Sequence, residues 1–368
     1  ERGKPADILP LWVADMDFAT APFVTDAIRK RCENEVLGYT GKPDSYYNAI
    51  INWVKQRYDL VVAKEMINFV PGIVPGIGMA MNCFTQKGDK VMIQPPVYHP
   101  FAWVTTRNER TLVTNPLKWE NGMYRMDLDT FREQIKGCKL FILCNPHNPG
   151  GVVWTEAELR AIADICYDEK VLVFSDEIHA DLTLPPHTHR PFATVSEKAR
   201  MNSVTFMSPS KAFNMPGLSA SHALIFNEDL RKRFRIYMDA GELDMGHVFA
   251  FLSVEAAYSH GTEWLDQCLA YIQGNIDFVD DFLKNHAPKI KAIRPEASYL
   301  VWLDCRELKL SQKDLNEFFV DKAHLALNDG EMFGKEGIGF MRLNVASPRC
   351  IIEKAMKQLA DAYQLYIK

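Results

Sequence analysis

Apolar residues recur along this chain in two rhythms. Between about residues 70 and 226, short apolar runs alternate with stretches of helical spacing. The runs at residues 90–94, 139–144, 171–175, 203–207 and 221–226 are too continuous for a half-exposed strand, so they predict strands covered on both faces. One intervening helix is well signalled. Thr155 and Glu158 have the spacing of a capping box, and Leu159, Ile162, Ala163 and Cys166 follow at helical intervals. Strands and helices in alternation imply a mostly parallel sheet with helices on both sides.

After Gly241 the texture changes. Residues 250–260 and 263–285 read as successive helices, and residues 291–303 and 340–345 as strands. Ser347-Pro348 has the N-cap then N1 order of a last helix. The prediction is an α/β fold. A large domain spans residues 39–265 and carries the mostly parallel sheet. A smaller α+β domain combines residues 266–368 with the N-terminal segment, residues 1–38. The boundary falls in a helix, not in a Pro/Gly linker.

Three polar residues follow predicted strands. Asn148 lies in Asn145-Pro146-His147-Asn148-Pro149-Gly150-Gly151, Asp176 in Ser175-Asp176-Glu177-Ile178-His179, and Lys211 in Ser208-Pro209-Ser210-Lys211-Ala212-Phe213-Asn214. In open α/β sheets the carboxyl edge is where ligands bind. An amine, a carboxylate and an amide on that edge suit a cofactor whose aldehyde must be trapped, ring nitrogen charged and ring oxygen held. Pyridoxal 5'-phosphate has those needs. A further binding element is Gly72-Ile73-Val74-Pro75. Pro75 suits the first position of a helix running to Cys83, whose free N–H groups would face a phosphate.

Composition narrows the class. The chain has 368 residues, 47% hydrophobic and 24% charged, with a net charge of −5. That length accommodates two domains, and the acidic balance argues against nucleic acid as a partner. The basic cluster Arg231-Lys232-Arg233 reads as a solvated helix face. The eight cysteines form no C-x-x-C pair and no His stands at zinc spacing, so they read as reduced thiols of a cytoplasmic protein with no metal site. No apolar stretch is long enough for a membrane span. The chain opens on Glu1-Arg2-Gly3 with no signal-like stretch, which gives the expectation of a short native segment before it.

Five segments, in order, carry a resemblance. They are Trp12-Val13-Ala14-Asp15-Met16-Asp17-Phe18, Pro71-Gly72-Ile73-Val74-Pro75-Gly76, residues 145–151, Asp176-Glu177-Ile178-His179 and residues 208–214. The chain resembles the fold-type-I, pyridoxal-phosphate-dependent enzymes of the class I/II aminotransferase superfamily. Within them it is most similar to the MalY/PatB-type cystathionine β-lyases, over essentially its whole length.

The resemblance implies roles. Lys211 would bind the cofactor covalently and, once freed, take the substrate α-proton. Asp176 would pair with the pyridine nitrogen, and Tyr98 would stack on the ring. Asn148 and His179 would lie near the ring oxygen, with His179 where related aminotransferases usually carry Tyr. Gly72, Ile73, Val74, Ser208 and Ser210 would hold the phosphate. Tyr39 would reach it from a neighbouring subunit, which implies a homodimer with shared sites. Arg342 would grip the substrate carboxylate, with Arg349 the competing choice, and Val13, Ala14 and Asn148 would line the substrate's place. Blander readings stand beside these: a turn or cap for Asp176, Asp15 and Asp17, core positions for Tyr98 and His179, and a structural ion pair for Arg342.

One position departs from many aminotransferases. Ser219 stands where they carry a phosphate-binding Arg, eight residues after the lysine. The resemblance therefore implies β-elimination from L-cystathionine or a related L-cysteine S-conjugate. The alternative is transamination between an amino acid and a keto acid. A regulatory protein on the same fold is a third reading. It is disfavoured by the acidic charge and by the absence of any room for a helix-turn-helix before Leu9.

Overall fold

The computed structural model describes residues 7–366, so the opening Glu1-Arg2-Gly3 lies outside the described residues. A seven-stranded sheet forms the centre. Its strands in chain order are β1 (Ile67–Val70), β2 (Lys90–Ile93), β3 (Thr111–Thr114), β4 (Cys138–Cys144), β5 (Leu172–Asp176), β6 (Ser203–Met207) and β7 (Ser221–Leu224). Their spatial order is β1-β7-β6-β5-β4-β2-β3, with β7 antiparallel to both neighbours and the remaining pairs parallel. The α/β expectation holds. All five predicted strands form, and two more, β1 and β3, join them.

The apolar runs explain the sheet. Residues of β5 and β6 are buried almost throughout because helices cover both faces. On one side the helix Ile73–Phe84 crosses the sheet. A Cβ on Gly76 would sit 2.9 Å from Val70 Cγ2, so only glycine allows that approach. Against β5, the helix Glu156–Asp168 has the predicted cap. Thr155 Oγ1 accepts from Glu158 N at 3.2 Å, and Thr155 N donates to Glu158 Oε2 at 2.9 Å.

A second, four-stranded antiparallel sheet follows two long helices, Val248–His260 and Thr262–His286. Its strands are β8 (Lys291–Ile293), β9 (Leu300–Asp304), β10 (Asn328–Asp329) and β11 (Phe340–Asn344), in the order β8-β9-β11-β10. Residues 291–303 are thus two strands, not one. Pro295 and the positive φ of Ser298 turn the chain away. Glu296 N and Ala297 N then bond Gly151 O, at 2.8 and 3.0 Å, instead of a neighbouring strand. The last helix begins at Arg349, one residue later than Pro348 at N1 would require. The carbonyl of Pro348 accepts from Ile351 N at 2.9 Å.

The N-terminal segment ties the two sheets together. Leu9–Pro10 pairs with Leu325–Ala326, and Asn344 N donates to Leu11 O at 2.9 Å. Residues 12–18 then run as an irregular strap. Asn214 holds it from the large-sheet side through Met16 N and O and Phe18 O, at 3.0, 2.9 and 2.7 Å. Asn344 holds it from the other side through Val13 O and Asp15 O, at 2.7 and 2.6 Å.

Candidate active site

Beneath the strap lies a cleft with about 210 Å³ of internal space, at the carboxyl edge of β4, β5 and β6. Asp176 ends β5, and its register partner on β4 is Cys144. Lys211 follows β6 by four residues, and Asn148 follows β4 by four. The antiparallel β7 contributes its first residue, Ser221, because its start lies on the same edge. Gly72, Ile73, Val74, Tyr98, His179 and Ser210 also line the cleft.

Each side chain is held by its element. Asp176 Oδ1 accepts from Ile178 N at 3.1 Å. Asn148 is pinned through its backbone. Its N–H donates to Cys144 Sγ at 3.3 Å, and its carbonyl accepts from Tyr98 N at 3.0 Å. Lys211 Nζ donates to Ala14 O on the strap, which also accepts from Tyr299 OH at 3.0 Å. The helix Ile73–Phe84 has Pro75 as its third residue, not its first as expected. Since Pro75 has no N–H and Gly76 N bonds Gly72 O at 2.9 Å, Ile73 and Val74 are left with the unpaired amides of that first turn.

The electrostatics are those of a site awaiting a charged, polar occupant. Burial pushes the Asp176 carboxyl up to about 7, aided by the neighbouring Glu177 and opposed by the Ile178 N–H and by Lys211. Burial, with the Arg342 charge beside it, lowers the Lys211 ammonium to about 8. His179 is pushed down to about 3, again chiefly by burial, so its ring is neutral, and its Nδ1 is buried without a partner. None of the lining residues is an arginine.

Arg342 sits on β11, behind Asn148, and is 3% exposed. Nη1 donates to Asn148 Oδ1 at 3.0 Å, and Nη2 donates to Trp12 O at 3.0 Å and to Asn328 Oδ1. Its ring neighbour is Phe333, 4.9 Å away. No carboxylate among the described residues pairs with it, its Nε has no partner, and burial lowers it to about 10. A buried guanidinium without a counter-charge is costly and favours an anionic ligand. Arg349 is engaged elsewhere, donating to Asn275 Oδ1 at 2.8 Å.

Not every expected residue reaches the cleft. Tyr39, expected to act at a neighbouring subunit's site, is 98% exposed and outside its own chain's cleft. Val13 is exposed and does not line the cleft, its carbonyl bonded to Asn344. Ser208 is buried behind Ser210, their hydroxyls 2.9 Å apart, and its own hydroxyl donates to Ala220 O at 2.7 Å. Sequence reasoning missed Cys144, Ser221, Asn328 and Asn344. A polar Asn inside the apolar 340–345 run was a usable signal for Asn344. Asn328 had none, because only the pairing of β10 with β11 brings it opposite Arg342.

These residues fit pyridoxal phosphate. A buried amine of reduced proton affinity suits its aldehyde, a buried uncompensated carboxylate suits a cationic ring nitrogen, and two free first-turn amides suit a phosphate.

Comparison with known proteins places the chain. The family described as aminotransferase class I and II matches residues 6–359. The chain is 38% identical to cystathionine β-lyase PatB of Bacillus subtilis, covering 97% of this chain and 92% of that one. Cystalysin from Treponema denticola, solved with pyridoxal 5'-phosphate, superposes with a TM-score of 0.96 at 34% identity, over 100% of this chain and 93% of that one. The pyridoxal-phosphate-bound C–S lyase of Staphylococcus hominis gives 0.91 at 34%, over 97% and 92%.

Proposed function

The chain belongs to the class I and II aminotransferase family, and from that premise we propose that it is a pyridoxal-phosphate-dependent carbon–sulfur β-lyase. Its substrate is L-cystathionine or a related L-cysteine S-conjugate, and its products are a thiol, pyruvate and ammonia. The observation that carries this reading is the meeting of Lys211 and Asp176 in one cleft, with an uncompensated Arg342 bonded to Asn148 of its lining, in a chain 38% identical to a cystathionine β-lyase.

Bound pyridoxal phosphate supplies an aldehyde that joins amines and an electron-poor ring that accepts the electron pair released at the substrate α-carbon. Lys211 holds it covalently and later removes the α-proton. Its lowered proton affinity leaves a useful fraction of free amine near neutral pH. Asp176 would keep a proton on the ring nitrogen, and Tyr98 would hold the ring. Asn148 and the neutral His179 would hold the ring oxygen. Ile73 and Val74 amides, with Ser210, hold the phosphate, and Ser208 orients Ser210. Arg342 and Asn148 bind the substrate carboxylate and so set which bond at the α-carbon lies ready to break. The β-carbon–sulfur bond then breaks with its electron pair leaving on sulfur. The resulting enamine hydrolyses to pyruvate and ammonia.

We further infer a homodimer. Val36, Leu37 and Tyr39 are 71%, 62% and 98% exposed on one irregular segment, an apolar surface that a second copy would cover, with Tyr39 reaching the partner's phosphate. We read residues 39–265 as the large domain and the rest as the small one. Eight free cysteines fit a cytoplasmic setting, and no described helix is long and apolar enough to cross a membrane.

The test is a panel of L-cysteine S-conjugates without keto acid. The lyase releases thiol, pyruvate and ammonia in equal amounts over many turnovers. Activity that stops after one turnover and restarts only when a keto acid is added contradicts the reading.

A further inference from the structure

Behind Asp176, on the side away from the cleft, lies a second buried carboxylate that the reaction as described does not use. Glu177 is 1% exposed. Its Oε1 accepts from Ser175 Oγ at 2.7 Å and from Phe192 N at 2.8 Å, and its Oε2 lies 2.8 Å from His189 Nε2. Three donors surround the two oxygens, which suits an ionised carboxylate. The Nδ1 of His189 is buried without a partner, so Glu177 is the one hydrogen-bond partner of that ring among the described residues. With hydrogen on Nε2, His189 donates to Glu177 Oε2 and fixes its carboxylate in place.

Other groups are accounted for. Lys211, Tyr98 and Cys144 bear on Asp176 from the cleft. Beyond His189, Asp181 is bonded by Trp53 Nε1 at 3.0 Å and by Tyr58 OH. Among these, Glu177 is the fixed negative charge adjacent to Asp176 in the chain.

We propose that Glu177, held by His189, is a positioning residue: it sets a second buried negative charge behind Asp176 and thereby keeps the proton on the ring nitrogen of the bound cofactor. Two carboxylates behind one cationic nitrogen bind its proton more tightly than one, and burial makes the second felt. The inference rests on the cleft being the pyridoxal phosphate site. A purely structural role for Glu177 is the rival, since its bond to Phe192 N ties the end of the loop after His179 to β5.

The measurement is the ¹⁵N NMR titration of cofactor labelled at the ring nitrogen, bound to the full chain. In the parent protein the nitrogen should keep its proton to higher pH than in free cofactor. Glu177→Gln should lower that midpoint by about 1–2 pH units, and Glu177→Asp, which keeps the charge, should restore most of it. His189→Asn removes the Nε2 donor and should move the midpoint the same way by less. It decides the matter if Glu177→Gln fails to fold. Folded variants whose midpoints coincide with the parent's overturn the proposal and leave Glu177 a structural tie. A parent midpoint equal to that of free cofactor overturns the reading of the cleft itself, and this inference with it.

Discussion

Asp176 and Asn148 reach the cleft at or just past the ends of strands that are plain apolar runs in the sequence, whereas Arg342 stands behind Asn148, tied to the carbonyl of Trp12, 330 positions away. The sheet side of the site is local. Strand, end and functional residue are consecutive, and the backbone ladder fixes each position. The strap side is assembled at long range, by Asn214, Asn344 and Asn328 bonding carbonyls and a guanidinium that sequence order does not bring together. On the proposed function, the first side would carry the chemistry of the cofactor, and the second would hold the substrate. Damage to the two should therefore look different.

The largest effect belongs to the sheet side. Lys211→Ala should abolish elimination, by about 10³-fold or more, because the α-proton base and the covalent anchor vanish together. Steady-state turnover and the visible spectrum of the loaded protein check both halves. A variant that keeps turnover breaks the assignment.

On the strap side the effect should be smaller and of another kind. Arg342→Ala should reduce kcat/KM by about 2–5 kcal/mol in transition-state terms, mostly through KM, with the cofactor still bound. Equilibrium dialysis of the cofactor and substrate saturation curves separate the two. If Arg349→Ala has this effect and Arg342→Ala does not, the clamp has been placed wrongly.

How much was legible follows the same division. Asp176, Asn148 and Lys211 could be read because strand ends announce themselves through apolar runs. Strand β3 was missed because its Thr111–Thr114 pattern is that of a half-exposed edge. Strand β1 was missed because four residues before a Pro-Gly turn are a weak signal on their own. The split of residues 291–303 had a local cause, Pro295, that the alternating pattern masked. The partners of Arg342 were not legible at all, since Asn328 faces it only through the pairing of two-residue β10 with β11.

Asn344→Ala sharpens the comparison further. It frees Val13 O and Asp15 O and loosens the strap at a cost of about 1–3 kcal/mol. KM should rise by about tenfold while cofactor affinity stays near the parent's. Loss of cofactor instead would mean that the strap also serves the sheet side.

The smallest effect is on stability, in cofactor-free protein. The Asp176 carboxyl is raised when folded, from 3.8 to about 7, so its contribution is fully present at low pH and is lost as pH rises through that window. Lys211 is lowered when folded, from 10.5 to about 8, so its contribution is present at high pH and is lost as pH falls through that window. Together they place a minimum near pH 7–8. Asp176→Asn should remove the decline between about pH 4 and 7, read as the difference in Tm from the parent across that range. An unchanged profile contradicts the burial argument.

The central claim is that the carboxyl edge of the sheet holds pyridoxal phosphate on Lys211. Borohydride reduction of the loaded protein, followed by peptide mapping, tests it without recourse to activity. The account predicts a phosphopyridoxyl label on Lys211 alone. A label on any other lysine, or none in protein that retains the cofactor, contradicts it.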